Sequence, residues 1–223
     1  MLAGSGYRGH SYGQQRMTIL DRVGVYLSRR AILRDLPRRC DLVALDLGCG
    51  YQAKHLTKTL YPYLIEGVGV DLKVRDDLKQ VPRLSFVESA IDEALPQFPA
   101  ERFDVVLMIS VLEHLWDPES VLKQCGRVLK GEGTLLINVP TWRGKRFLEY
   151  SAFRLGTSPA EEMDDHKMYY DKRDLWPLLV TAGFKPSQIR MRYHKLGLNL
   201  FTVVQKSPAE LLEGGKGRDD HHP

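Results

Sequence analysis

Four residues near the start of the chain combine in a way that could do chemistry. In VALDLGCGYQAKHL, at 43–56, an apolar run carries a carboxylate, Asp46, immediately before Gly48, Cys49 and Gly50. A lone carboxylate in such a run is costly to bury without a partner, so it asks for a ligand. The two glycines permit a sharp turn and let a ligand approach bare backbone. A second carboxylate, Asp71, ends the apolar run IEGVGVD, where it can accept two hydrogen bonds from ribose hydroxyls. Gly48, Gly50 and Ala53 satisfy GxGxxA, and Asp71 stands about 20 residues further on, as a dinucleotide fingerprint asks. Asp46 argues against that reading, because it would repel a pyrophosphate and attract an ammonium group. The plain alternatives are turn glycines, Asp71 as an N-cap for VRDDLKQV, and Cys49 as a small turn residue with no nucleophilic role.

Two histidines are candidate bases. His114, in SVLEHL, follows the apolar run FDVVLMI, and histidine is the readiest proton acceptor near neutral pH. Capping or packing of the next helix is its other reading. His166, in EEMDDHKMYY, precedes a helix capped by Asp171, with Tyr169 and Tyr170 beside it as pocket candidates. Arg143, Lys145, Arg146 and Arg154 alternate with Trp142, Phe147, Tyr150 and Phe153. That mixture suits an acceptor with an anionic group and a ring-bearing body, or equally a solvated amphipathic helix.

The elements that must position these groups alternate. The apolar runs LVALDL, IEGVGV, LSFVES, FDVVLMI and GTLLINV are separated by helical patterns such as AKHLTKTL and PESVLKQCGRVL. Continuous apolar strands joined through helices predict an α/β, doubly wound and mostly parallel sheet buried on both faces. QIRMRYHK and NLFTVVQK, either side of a Leu-Gly-Leu turn, predict an antiparallel closing pair. Ahead of the first strand, Ile19, Val23, Leu27 and Ile32 are spaced as one apolar face of a helix over 18–36. The reading is one domain over 17–207, with flexible segments at 1–16 and 208–223 and a substrate-side insertion or lid at 141–170.

Composition narrows the class. The chain has 223 residues, 43% of them hydrophobic, enough for one sizeable core. A net charge of +4 is too small to argue for nucleic acid, and the acidic EEMDD follows the basic stretch at once, so no nucleic-acid partner is expected. Three cysteines without CxxC spacing fit a reducing, cytoplasmic setting. The longest apolar run, VVLMISVL, is far short of the roughly 20 residues a membrane span needs.

LDLGCG followed by GVD resembles the class I S-adenosylmethionine-dependent methyltransferases. FDVVLMISVLEHLWDPESVLKQCGRVLKGEGTLLINVP and YYDKRDLWPLLVTAGF resemble later blocks of the same family, in the same order. The resemblance implies a seven-stranded Rossmann-like fold whose last strand is antiparallel. It implies S-adenosyl-L-methionine as cofactor, with Asp46, Gly48, Cys49 and Gly50 around its methionine end and Asp71 and Leu72 at the ribose. Residues after the third strand would flank adenine, and Ile109 and Ser110 would face the methyl-bearing sulfur. Where many relatives carry an acidic residue after the third strand this chain has Ala90, so a backbone amide of Ala90 or Ile91 is expected to serve instead of Asp92. Some relatives carry ExxEH and bind a divalent ion. Here Ser110 takes the first position, leaving Glu113 and His114, so no metal is expected. The expected reaction is O-methylation of a small molecule, sugar or lipid headgroup by direct displacement, with His114 or His166 as base and Arg143, Tyr169 and Tyr170 lining the acceptor pocket. The competing readings are an NAD(P)-dependent oxidoreductase and a non-catalytic nucleotide-binding protein of the same fold.

Overall fold

The strands of the sheet lie in the order β3-β2-β1-β4-β5-β7-β6, as seen in a computed structural model that describes residues 19–147 and 167–208. Along the chain come α1 (Ile19–Asp35), β1 (Leu42–Leu47), α2 (His55–Leu60, wound as a π-type turn) and β2 (Leu64–Asp71). Next are β3 (Leu84–Glu88), β4 (Phe103–Ile109), α3 (Pro118–Val128) and β5 (Leu129–Pro140). After these follow a helical segment α4 over 142–147, α5 (Lys172–Thr181), β6 (Ile189–His194) and β7 (Asn199–Gln205). The terminal segments expected at 1–16 and beyond 208, His166, and the insertion from 148 to 166 lie outside the described residues.

β1 pairs in parallel with β2 and β4, while β7 runs antiparallel to both β5 and β6, which is the expected α/β topology. Strand order reverses between β1 and β4, so the crevice beyond their carboxyl ends is where such a sheet takes a ligand. Alternation along each strand divides the core into two layers. Ala44, Leu107, Leu136 and Phe201 face α1 and α2, packing with Ile32, Leu56 and Leu60. Leu45, Val106, Ile137 and Leu200 face the other way, packing with Leu122, Cys125, Leu175 and Leu179 of α3 and α5.

Local signals fix the helix ends. The Asp117 carboxylate accepts the Ser120 N–H at 3.0 Å, and Pro118 occupies the first position of α3, where its missing N–H costs nothing. Asp171 begins α5 and donates its own N–H to Asp174 at 2.8 Å, while Gly183, at φ +101°, ends it. The apolar stripe expected on α1 is only partly used. Val23 is 49% exposed and Leu27 half-buried, and the helix docks through Ser28, Ala31 and Ile32 nearer its C-terminal end, with Leu36 buried just past it. The N-terminal half of α1 lies instead beside the β6–β7 turn, where Gly24 is near the Lys195 ammonium. At the opposite edge from the crevice, Asp104 at the start of β4 accepts the Val43 N–H at 2.8 Å and the Lys130 ammonium at 3.0 Å, and pairs with Arg39.

Candidate active site

Asp46 follows Ala44 by two residues and therefore projects to the α1 side of the sheet, at the carboxyl end of β1. It is buried, and neither carboxylate oxygen has a hydrogen-bond partner among the described residues. Burial first, and the charge of Asp71 second, push its pKa well above the usual carboxylate range. A cation brought to this position would relieve both effects.

The turn beside it is built from backbone. Gly48 and Gly50 sit at φ +69° and +74°, a region that glycine enters without strain. The Gly48 and Cys49 N–H groups both donate to the Val70 carbonyl, at 2.8 and 3.1 Å. A Cβ on Gly48 would stand 2.4 Å from Val111 Cγ2, so the loop after β4 also requires a glycine here. Gly50 donates its N–H to Asp71 Oδ2 at 2.7 Å, and Leu72 donates to Oδ1 at 2.8 Å. Each Asp71 oxygen is thereby oriented and keeps a lone pair for a diol. Asp71 does not cap VRDDLKQV: the short helical turn Asp76–Gln80 starts after Arg75. Ala53 is fully buried at φ +42°, in the turn ahead of α2.

Cys49 turns its thiol away from the crevice into a small cluster with Ala53, Val74 and Leu78, so only its backbone is available to a ligand. Burial, then Asp46 and Asp71, raise its thiol pKa, which rules out a nucleophilic thiolate. After β3, the Ser89 N–H donates to the Asp71 carbonyl at 3.1 Å, and half-buried Ala90 and Ile91 open the short turn Ile91–Ala94. Asp92 and Leu72 are exposed.

The carboxyl ends of β4 and β5 complete the crevice. Ile109 is half-buried opposite Asn138, and exposed Ser110, at φ +59°, donates its N–H to the Asn138 carbonyl at 2.8 Å. Asn138 is fully buried on the same face as Asp46, and neither atom of its carboxamide has a partner among the described residues. His114 is half-buried in the turn Leu112–His114, and Glu113, next to it, is only 1% exposed. The Glu113 carbonyl accepts the Lys167 N–H at 2.8 Å, drawing the segment before α5 over the loop. Tyr170 is buried, and burial, then Glu113 and Asp174, push its phenol up to about 12. Tyr169 is also buried, its ring 5.6 Å from that of Trp142, with the Lys145 ammonium over both. The two tyrosines therefore pack beneath α4 and the loop after β4. Arg143 is exposed, beside Gly197 in the β6–β7 turn. No group of three or more His, Cys, Asp or Glu among the described residues is arranged to hold a metal ion.

Sequence reasoning missed three groups here: Asn138, His55 and Lys195. Asn138 had a visible signal, a carboxamide at the end of the apolar run GTLLIN. His55 and Lys195 had none, because only the packing of α1, α2 and the β6–β7 turn brings them to this side.

Comparison with known proteins agrees with this geometry. Residues 45–137 match the family described as a methyltransferase domain. A Mycobacterium tuberculosis protein described as a probable S-adenosylmethionine-dependent methyltransferase is 25% identical, over 77% of this chain and 60% of the relative. A ubiquinone biosynthesis O-methyltransferase of Idiomarina loihiensis is 37% identical over 44% of each chain. Among solved structures, the methyltransferase crystallised with the Haloferax volcanii Trm112 activator superposes with a TM-score of 0.62 at 16% identity, covering 84% of this chain and 93% of that one. These matches make the chain similar to the S-adenosylmethionine-dependent methyltransferase class, and its fold is shared with solved methyltransferases. It spans about 60% of the length of the mycobacterial relatives it matches. The residues present suit the cofactor of that class: two buried carboxylate oxygens without a partner among the described residues answer an ammonium group, and an oriented carboxylate answers a ribose diol.

Proposed function

We propose that this protein transfers a methyl group from S-adenosyl-L-methionine to a hydroxyl of a small acceptor, such as a phenol, a sugar or a lipid headgroup. The observation that carries the reading is Asp46, a buried carboxylate without a partner among the described residues, directly ahead of a glycine turn. When bound, the cofactor supplies an electrophilic methyl group on a sulfonium. The chain's own residues then have to bind, orient and exclude water.

In this reading Asp46 takes the amino group of the methionine part, with the backbone of Gly48, Cys49 and Gly50 alongside. Asp71 takes the ribose, with Leu72 flanking it, and the backbone of Ala90 and Ile91 edges the adenine. Ile109 and Ser110 border the reacting carbon, which sets the acceptor beyond the ends of β4 and β5. There His114, Tyr169, Tyr170 and Arg143 line the approach; His166, the second candidate base, lies outside the described residues. Preference for an oxygen acceptor draws on the ubiquinone O-methyltransferase relatives, whose similarity covers less than half of this chain.

Calorimetry with S-adenosylhomocysteine and with NADH tests the cofactor, and a methyl-donor assay against a panel of phenols, sugars and lipid headgroups tests the acceptor. Binding of S-adenosylhomocysteine without NADH, together with a methyl ether product, is the expected result. NADH binding without S-adenosylhomocysteine binding would return the oxidoreductase reading.

A further inference from the structure

The β6–β7 turn carries the feature of the crevice that the proposed reaction leaves unused. Lys195, Leu196 and Gly197 lie at φ +49°, +59° and +84°, three successive left-handed residues of which two are not glycine. Non-glycine residues hold that conformation only against a steric cost, so the surroundings must enforce it. Thr141, just past β5, does so: its N–H donates to the Leu198 carbonyl at 3.0 Å and its hydroxyl to the Gly197 carbonyl at 2.7 Å. The result directs the Lys195 side chain inward under α1, with Nζ 3.6 Å from where a Cβ on Gly24 would stand.

The charged and polar groups around that amine come from several other elements. Glu113, from the loop after β4, acts on it electrostatically. His55, on α2, has an imidazole whose Nδ1 is buried without a partner among the described residues. His194 stands next to it on β6, and Arg143 of α4 lies beside Gly197. The unpartnered Asn138 carboxamide is buried on the same α1 face of the sheet. Thr141 thus ties the turn that carries Lys195 to the carboxyl end of β5, at the rim of the crevice, and the Asn138 carboxamide lies on the same side of the sheet, without a partner among the described residues.

We propose that Lys195 is the base of the methyl transfer, its neutral amine taking the proton of the acceptor hydroxyl while Glu113 stabilises the ammonium that forms. This rests on the methyltransferase reading above. The acceptor oxygen uses an electron pair to bond the sulfonium methyl carbon. The carbon–sulfur bond breaks with its pair remaining on sulfur, which leaves as a neutral thioether, and the hydroxyl proton passes to Nζ. Glu113 is a positioning residue here, as the third group of a base-and-orienter pair usually is.

The environment suits that role. Burial lowers the Lys195 pKa to about 8, with Glu113 pulling it in the other direction, so a useful fraction of the amine is neutral near physiological pH. Burial, then Lys195 and Lys54, push His55 down to about 4, too weak a base to compete. Burial, then Lys195 and Arg192, do the same to His194.

The test is acetic anhydride labelling of the full-length protein across pH, mapped by mass spectrometry, in wild type and Glu113→Gln. Turnover of Lys195→Arg and Lys195→Met on a hydroxyl acceptor found in the panel accompanies it. Lys195 should label with a midpoint near pH 8 and lower in Glu113→Gln, which removes the influence that raises it. Lys195→Arg, which stays protonated, should lose about 100-fold or more in kcat. Its S-adenosylhomocysteine affinity should stay within about twofold of wild type, the mark of an intact cofactor site. A labelling midpoint near the ordinary lysine value of about 10.4 overturns the proposal. So does an arginine variant that keeps its turnover, or a Glu113→Gln midpoint that does not move. Failure of the wild-type protein to bind S-adenosylhomocysteine would instead sink the methyltransferase reading.

Discussion

Replacing Asp46 by Asn should make the free protein more stable and the cofactor weaker. In the free protein both Asp46 oxygens are buried without partners among the described residues, and burial and Asp71 both disfavour the charged form. The linkage sign follows from the raised pKa. The folded state holds this proton to higher pH than the unfolded chain does, so Asp46 lowers stability progressively as pH rises above the unfolded value of about 3.9. Asparagine keeps the shape and removes the charge. An unsatisfied buried polar group costs about 1–3 kcal/mol, and asparagine retains the polar part of that cost, so a gain of about 1 kcal/mol is expected near pH 7. For a chain of this size that is a rise of about 2–4 °C in Tm. Binding moves the other way, because a hydrogen bond between charged groups contributes about 1.5–3 kcal/mol, or about 10- to 150-fold in Kd. Isothermal titration calorimetry with S-adenosylhomocysteine measures the loss. Repeated in buffers of different ionisation enthalpy, it also measures the proton that the ligand's ammonium group should expel from Asp46. That buffer dependence should shrink in Asp46→Asn. An Asp46→Asn protein that binds S-adenosylhomocysteine as tightly as wild type would refute the reasoning.

Two further outcomes test the frame around the site. Gly48→Ala meets both a φ of +69° and a 2.4 Å approach to Val111, and should destabilise by about 2–4 kcal/mol in urea denaturation. Adding Val111→Ala should return the steric share and leave the conformational share of about 1–2 kcal/mol unrecovered. Asp104 pays a desolvation penalty that the Val43 N–H, Lys130 and Arg39 together outweigh, so its carboxyl pKa lies below the ordinary value. Its stabilisation is complete above the unfolded pKa of about 3.9 and disappears as pH falls through the lower folded value. Asp104→Ala should therefore cost about 2 kcal/mol at pH 7, with the deficit vanishing in acid, as read from Tm against pH.

Patterns along the chain already carry the sheet and the residues of the proposed cofactor end of the site. Continuous apolar runs joined through helices leave few topologies other than a buried parallel sheet. A carboxylate, a glycine turn and a second carboxylate one strand later are all local in sequence, so residue type and spacing suffice to single out Asp46, Gly48, Gly50 and Asp71. The proposed reaction end is different. Glu113, Asn138 and Lys195 come from the loop after β4, the end of β5 and the β6–β7 turn, and no spacing rule links them. Whether a polar residue faces α1 or solvent depends on strand register and on where α1 ends its contact with the sheet. The same cause left Val23 exposed where helical spacing predicted burial, and turned Cys49 away from the crevice. Composition and periodicity determine which segments pair, because burial energy scales with apolar area and repeats along the chain. Only the assembled tertiary structure decides which charged groups share one low-dielectric space, because that depends on distances between segments far apart in sequence.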